Sequence, residues 1–204
     1  MSDRKPASKH DQPKEFEFSS ENISLAKKIL KKYPKNRKFS SIIPLLDLAQ
    51  RQHSGWLPIV AINYVADFIN MPRIRAYEVA TFYTMFNLKP VGENVIQICT
   101  TTPCALRGCQ QILDVCKKRL NIDVGDTTGD KKFTLLEVEC LGACVNAPVA
   151  WIGDDYFEDL TPESMDTIID QLKKGNLSIS SGSQIGRNGS APIGQRNTLL
   201  DEGN

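Results

Sequence analysis

Four of the six cysteines stand in two closely spaced pairs, Cys99 with Cys104 and Cys140 with Cys144. Thiolates at the spacings C-x4-C and C-x3-C can hold a metal ion or an iron–sulfur cluster, because four sulfur ligands suit either group. The N-terminal residues are polar and do not resemble a secretion signal, which favours reduced cysteines that bind metal over a disulfide framework. These four cysteines are therefore the candidate ligands.

The other two cysteines belong to a different pattern. Cys109 and Cys116 are seven residues apart and share an apolar helical stripe with Ile112, Leu113 and Leu120. Buried cysteine commonly behaves as a small hydrophobic residue. We therefore predict that both thiols pack in a core and bind no metal.

A strand, a helix and a second strand must position the candidate ligands. The run 95–99 and the run 133–138 are typical of strands, and the stripe from Leu106 to Leu120 predicts one helix between them. This order favours a right-handed parallel crossover, in which both strands end at the same edge of the sheet. Because Cys99 ends the first strand and Cys140 follows the second, we expect all four thiols to converge at that edge.

Further elements complete this half of the chain. Short runs at 149–152 and 156–160, on either side of Gly153-Asp154, suggest a hairpin. Thr161 can cap a last helix, whose apolar stripe is Met165, Ile168, Ile169 and Leu172, and Gly175 can end it.

The N-terminal half is predicted to be helical. Apolar residues recur at helical spacing four times between residues 20 and 87, with prolines or glycines between the repeats. The predicted organisation is thus a disordered leader at 1–19, a four-helix domain at 20–90, a cluster-binding domain at 91–177 and a disordered tail at 178–204. The ends are assigned as disordered because they bring little apolar surface.

Composition and motifs exclude several functions. With 204 residues and a formal net charge of +1, the chain lacks the basic balance of a nucleic-acid-binding protein. No apolar run approaches the roughly 18 residues that span a bilayer, so we expect no direct membrane insertion. Neither G-x-G-x-x-G nor G-x-x-x-x-G-K-[ST] occurs, so nucleotide binding is expected on another protein chain.

Cysteine spacing by itself leaves the bound group open. A structural zinc site with four cysteines uses similar spacings, and such a chain would be an assembly module without redox activity. A thioredoxin-type thiol enzyme would suit the strand and helix order, but it usually needs C-x-x-C, which is absent.

The sequences of the two loops resemble one known family. Cys99-Thr-Thr-Thr-Pro-Cys104 and Cys140-Leu-Gly-Ala-Cys144 are similar to the corresponding loops of the E subunits of NADH-quinone oxidoreductase, complex I. The similarity extends to Gly55-Trp-Leu-Pro58, Val79-Ala-Thr-Phe-Tyr-Thr-Met-Phe86 and Tyr156-Phe-Glu-Asp-Leu-Thr161, so it covers roughly residues 20–175.

The resemblance implies an α+β protein in which a helical unit precedes a thioredoxin-like [2Fe-2S] ferredoxin domain. It implies one [2Fe-2S] cluster on Cys99, Cys104, Cys140 and Cys144, and an electron-transfer role without catalytic residues of its own. FMN and NADH would bind a partner subunit, with other peripheral-arm subunits nearby. The complex would lie on the cytoplasmic side of a bacterial inner membrane, or on the matrix side in a mitochondrion. The alternative parent complexes are an NAD-linked hydrogenase or formate dehydrogenase.

Overall fold

The computed structural model describes residues 5–175 and 178–193, and the chain divides into two compact units between Val91 and Gly92. The division follows from two separate hydrophobic cores, one built by helices and the other built around a sheet. Within the described residues, no helix has both the length and the apolar character needed to cross a membrane.

Four α-helices form the N-terminal unit: α1 (Ser20–Lys31), α2 (Ile42–Gln52), α3 (Ile59–Phe68) and α4 (Arg73–Phe82). A 3-10 stretch at Lys35–Ser41 precedes α2. Ser19 caps α1, since its side-chain oxygen accepts a hydrogen bond from the Asn22 amide at 3.2 Å. Pro58 and Pro72 immediately precede α3 and α4, where the missing amide hydrogen costs nothing.

The segment before α1 is ordered where the sequence predicted a disordered leader at 1–19. Phe18 is only 4% exposed, and Phe16 and Phe18 meet the Tyr64 ring edge-on, with centroids 5.6 and 5.3 Å away. The Ala7 amide donates to the Leu88 carbonyl at 2.9 Å. Two aromatic residues are too few to produce a periodic pattern, yet they bury a large apolar area. The expectation is corrected for these residues, and residues 1–4 lie outside the described part.

A five-stranded sheet in the order β2-β1-β3-β4-β5, whose last strand β5 is Gly182–Ser183, lies in the C-terminal unit. β1 (Asn94–Cys99) and β2 (Phe133–Val138) are parallel, and β3 (Ala150–Ile152) runs antiparallel to both β1 and β4 (Asp155–Glu158). The predicted parallel pair and hairpin are therefore both present. Together with the helical N-terminal unit, this sheet confirms the α+β class.

Two helices lie between β1 and β2, where the sequence predicted one: α5 (Thr102–Leu106) and α6 (Cys109–Leu120). Gly108 interrupts them with a φ of 91°, a left-handed conformation that ends a helix and is open mainly to glycine. As a result Leu106 is 82% exposed and lies outside the buried stripe. Cys109 and Cys116 are buried in the core, as predicted.

The last long helix, α7 (Pro162–Lys173), begins at the predicted cap. The Thr161 hydroxyl accepts a hydrogen bond from the Ser164 amide, and the Ser164 hydroxyl accepts one from the Thr161 amide. This reciprocal arrangement satisfies two amides that a free helix end leaves unpaired. Gly175, at a φ of 70°, follows the helix.

Residues 178–193 are also ordered, although the sequence predicted a disordered tail at 178–204. β5 (Gly182–Ser183) pairs with β4 in parallel, and Arg187 forms an ion pair with Asp159. Strand pairing and a buried ion pair can order a polar segment without much apolar surface, which composition does not reveal. The predicted disorder of 194–204 lies outside the described residues, as do residues 176–177 of the predicted domain 91–177.

The start of the C-terminal unit leaves no room for a side chain at Gly92. A Cβ there would lie 2.6 Å from the backbone carbon of Phe133. We predict that Gly92→Ala lowers the free energy of unfolding by about 1–3 kcal/mol, because the backbone of β2 must move. Gly129→Ala is the control, since nothing lies within 4 Å of its Cβ. Urea denaturation checks both variants, and equal midpoints would contradict the prediction.

Candidate metal centre

The first cysteine pair lies between the end of β1 and α5, and both thiols are buried. The Cys99 amide donates to the Val149 carbonyl at 3.1 Å, which fixes this end of β1 against the segment before β3. Thr101 precedes α5 in an extended conformation, and Pro103 lies in the first turn of that helix. Cys104 thus returns towards Cys99 after one short turn of chain.

The second pair lies in the loop after β2, and both of its thiols are exposed. Cys144 begins a single 3-10 turn, Cys144–Asn146, and its sulfur lies 3.3 Å from that of Cys140. Gly142 has a φ of 84°, which turns the loop back so that its own amide approaches the Cys140 sulfur at 3.4 Å. The peptide bond between Ala147 and Pro148 is cis.

The parallel pairing of β1 with β2 brings the two loops together. Cys99 is the register partner of Val138, so the chain beyond each strand leaves the sheet at the same edge. The Thr101 hydroxyl lies 3.3 Å from the Cys99 sulfur and also acts on Cys140, whose pKa it lowers. The Leu141 backbone likewise lowers the pKa of Cys99 from the opposite loop. The structure therefore brings the pair Cys99 and Cys104 and the pair Cys140 and Cys144 to the same edge of the sheet.

The two buried thiols, Cys99 and Cys104, have pKa values shifted in opposite directions. Burial opposes ionisation of Cys99, but hydrogen bonds from Thr101, the Leu141 amide and Cys104 outweigh it and lower its pKa. For Cys104, burial and the neighbouring Cys99 sulfur raise the pKa to about 12. Cys99 is thus the better acceptor of the pair, and Cys104 is the proton donor.

The pKa values of the two exposed thiols, Cys140 and Cys144, are also shifted in opposite directions. The Gly142 amide, together with hydrogen bonds from Cys144 and Thr101, lowers the pKa of Cys140. The interaction between the Cys140 and Cys144 sulfurs, 3.3 Å apart, raises the pKa of Cys144. In each pair, therefore, one thiol has a lowered pKa and the other a raised pKa, and every thiol that is still protonated must lose its proton when a metal binds.

Two pairs of sulfurs fit a two-iron cluster. A [2Fe-2S] cluster takes two cysteine ligands per iron, whereas a structural zinc ion takes four ligands at one point. The two pairs stand side by side at this edge, and in residues 5–175 and 178–193 no three His, Cys, Asp or Glu side chains are already closed around a single point, a finding that by itself favours neither group. The Gly142 amide donates to the Cys140 sulfur, and the backbones of Leu141 and Val149 act to lower the pKa values of Cys99 and Cys104, so the surroundings favour negative charge on the sulfurs, as an anionic cluster requires. The residues present fit this group.

Sequence reasoning missed three contributors to this site. Thr101 contacts a sulfur of each pair, and the Val149 amide reaches Cys104 from the segment before β3. Asn146 is buried at the end of the turn that begins with Cys144. The run of threonines before Pro103 is typical of a helix start and could have indicated Thr101, but no local signal identifies the other two.

Comparison with known proteins gives a consistent family. The thioredoxin-like [2Fe-2S] ferredoxin family model matches residues 26–173. The E subunit of NADH-quinone oxidoreductase from Rickettsia bellii (strain RML369-C) is 64% identical over 158 residues, which are 78% of this chain and 95% of that protein. The mitochondrial NADH dehydrogenase [ubiquinone] flavoprotein 2 of Dictyostelium discoideum is 51% identical over 186 residues, which are 91% of this chain and 75% of that protein.

A solved structure has a similar fold at low sequence identity. An air-oxidized NAD+-reducing [NiFe]-hydrogenase superposes with a TM-score of 0.55 at 20% identity. The match covers 64% of this chain and 23% of the hydrogenase chain. This likeness concerns the fold alone.

The exposure and pKa of the thiols predict their order of alkylation in the metal-free chain. Cys140 is exposed and its pKa is lowered, so it reacts first with iodoacetamide at neutral pH. Cys116 reacts last, because it is buried and burial raises its pKa to about 12. Peptide mass spectrometry over time measures both rates. Equal labelling of the two thiols under native conditions would contradict the structure.

Proposed function

This chain belongs to the thioredoxin-like [2Fe-2S] ferredoxin family and, within it, to the E subunits of NADH-quinone oxidoreductase, and we propose that Cys99, Cys104, Cys140 and Cys144 hold its one [2Fe-2S] cluster. When bound, such a cluster accepts and returns one electron at a time. The observation that carries the ligand assignment is the meeting of two thiol pairs at the shared edge of β1 and β2. The chain is thus an electron-transfer component of an oxidoreductase.

The chain's own groups set the charge balance at this edge. The Gly142 amide donates to Cys140, and the backbones of Leu141 and Val149 favour the charged forms of Cys99 and Cys104; such surroundings favour additional negative charge and therefore raise the reduction potential. Thr101 links a sulfur of the buried pair to one of the exposed pair. The core side of the site excludes water, while Cys140 and Cys144 remain open to the surface.

Oxidation of NADH belongs on a flavin-bearing partner, since this chain has no dinucleotide motif. The edge of the site has two strongly exposed aliphatic residues, Leu106 at 82% and Val145 at 62%. Leu106 is two residues from Cys104, and Val145 follows Cys144. Exposed apolar groups that flank a redox site suit a contact with another protein chain. We assign this edge to the flavin-bearing partner.

We infer the side of the membrane on which the protein lies from its parent complex. A component of the peripheral arm of complex I would face the cytoplasm in a bacterium, or the matrix in a mitochondrion. Attachment would be through the other proteins of the arm.

A second parent complex has one observation in its favour. The NAD+-reducing hydrogenase shares the fold, although at 20% identity, against 64% for the Rickettsia complex I protein. The zinc-binding assembly module would use the same four cysteines. It differs in metal content, which iron, sulfide and zinc assays measure directly.

We predict that the anaerobically purified chain is brown and carries about two irons and two sulfides, with a rhombic electron paramagnetic resonance signal after dithionite reduction. Cys140→Ser and Cys104→Ser should each lose most of the iron, because each removes a sulfur ligand. Cys116→Ala is the matched control and should keep both the iron and the signal, since Cys116 is in the core. A colourless chain with one zinc would refute the cluster.

We also predict that Leu106→Glu and Val145→Glu weaken binding to the purified flavoprotein partner by about tenfold or more. A carboxylate buried without a partner at a contact costs more than the roughly 1.4 kcal/mol that equals tenfold in affinity. Ile74→Glu in α4, 64% exposed, is the control for a charge introduced elsewhere. Surface plasmon resonance measures the affinities. Unchanged binding by both site variants would rule out this edge as the contact.

A further inference from the structure

A segment beyond the family region packs against the sheet. The family model ends at residue 173, whereas residues 182–189, which we call the strap, follow α7 and run beside β4. Gly182 and Ser183 are the register partners of Phe157 and Glu158, and the Gln184 amide donates to the Glu158 carbonyl at 2.9 Å. The strap thus extends the sheet by one short strand.

An ion pair between buried side chains fastens the strap. Nη2 of Arg187 lies 3.1 Å from Oδ1 of Asp159, and the two side chains are 10% and 3% exposed. The Ser183 hydroxyl donates to Oδ2 of Asp159 at 2.7 Å and accepts a hydrogen bond from the Arg187 amide at 3.2 Å. If the strap moves away, the buried Asp159 carboxylate loses its partner charge. The ion pair therefore opposes detachment of the strap.

The strap reaches the second cysteine loop through Asn146. The Asp159 amide donates to the Asn146 carbonyl at 2.6 Å, and Nδ2 of Asn146 donates to the Gly189 carbonyl at 2.9 Å and to Glu158 at 2.6 Å. The Asn146 amide donates to the Ala143 carbonyl at 3.0 Å, which closes the turn that begins at Cys144. The turn that carries Cys144 is therefore held at its far end by the strap and by β4.

This contact matters because the two cysteines of the loop, Cys140 and Cys144, are themselves exposed to solvent. Gly142 between them has open space around its Cα. A ligand on such a loop keeps its position only if neighbouring contacts fix the backbone, and contacts behind the ligands commonly decide metal affinity.

We propose that the strap positions Cys144 for the cluster, with Arg187, Asp159 and Asn146 as the positioning residues. These residues act through the backbone of the turn and not on a sulfur atom. The chain beyond the family region then governs how long the cluster is retained. The inference rests on the proposed function, since it assumes that Cys144 is a ligand.

The test compares the full chain with Arg187→Met, Arg187→Lys and the control Arg73→Met. Arg73 forms an exposed pair with Asp67 in the N-terminal unit, so its loss tests the removal of an arginine as such. Two rates are measured: iron release to a chelator from the oxidised protein, and hydrogen exchange in the metal-free chain over peptides spanning 141–147. We expect Arg187→Met to accelerate iron release about tenfold and to raise exchange at the loop. Arg187→Lys should restore most of the retention, and Arg73→Met should match wild type.

A double variant keeps the test decisive if Arg187→Met fails to fold. Asp159→Asn with Arg187→Met removes both charges, and asparagine tolerates the φ of 51° at position 159. We expect it to fold and to release iron faster than wild type. Wild-type iron release and loop exchange in a folded variant that lacks the ion pair would overturn the strap proposal. A wild-type chain that binds no iron would instead refute the proposed function, so the two failures are distinguishable.

Discussion

The parallel pairing of β1 with β2 is the constraint on which the site depends. The register that places Cys99 beside Val138 makes both strands end at one edge, and only there can two loops 40 residues apart in sequence share a ligand set. The crossover through α5 and α6 makes the parallel pairing possible. Gly92 allows the backbones to approach closely at the other end of the same strand pair. The site is therefore a consequence of the sheet.

The two cysteine pairs have different surroundings, and the difference suits electron transfer. Cys99 and Cys104 are buried in the core of the C-terminal unit, which fixes them and excludes water. Cys140 and Cys144 face the surface, so a cluster held by them would lie a short distance from a bound partner. Thr101 connects the two pairs, and the Leu141 amide reaches across from the exposed loop to the buried one. One side of the site is rigid and dry, and the other is accessible.

The described segments before α1 and after α7 show how polar segments become ordered. Phe16 and Phe18 bury their rings against Tyr64, so the chain before α1 is tied to the helical unit. After α7 the strap gains its order from strand pairing and from the Arg187–Asp159 pair. Each of these segments is ordered by contacts with residues far away in sequence. The amino-acid composition of a segment does not reveal such contacts.

The sequence by itself determined the elements and the chemistry. Helical spacing located the four N-terminal helices and α7, short apolar runs located β1 and β2, and the cysteine pairs identified the loops that we propose as cluster-binding. Each of these patterns is local, and its physical cause lies within a few residues. Strand order then implied convergence of the loops. Tertiary structure alone decided the break at Gly108, the roles of Val149 and Asn146 beside the thiols, and the ordered ends. Those features arise from contacts between residues distant in the chain, whose energies depend on burial and geometry that only the folded molecule defines.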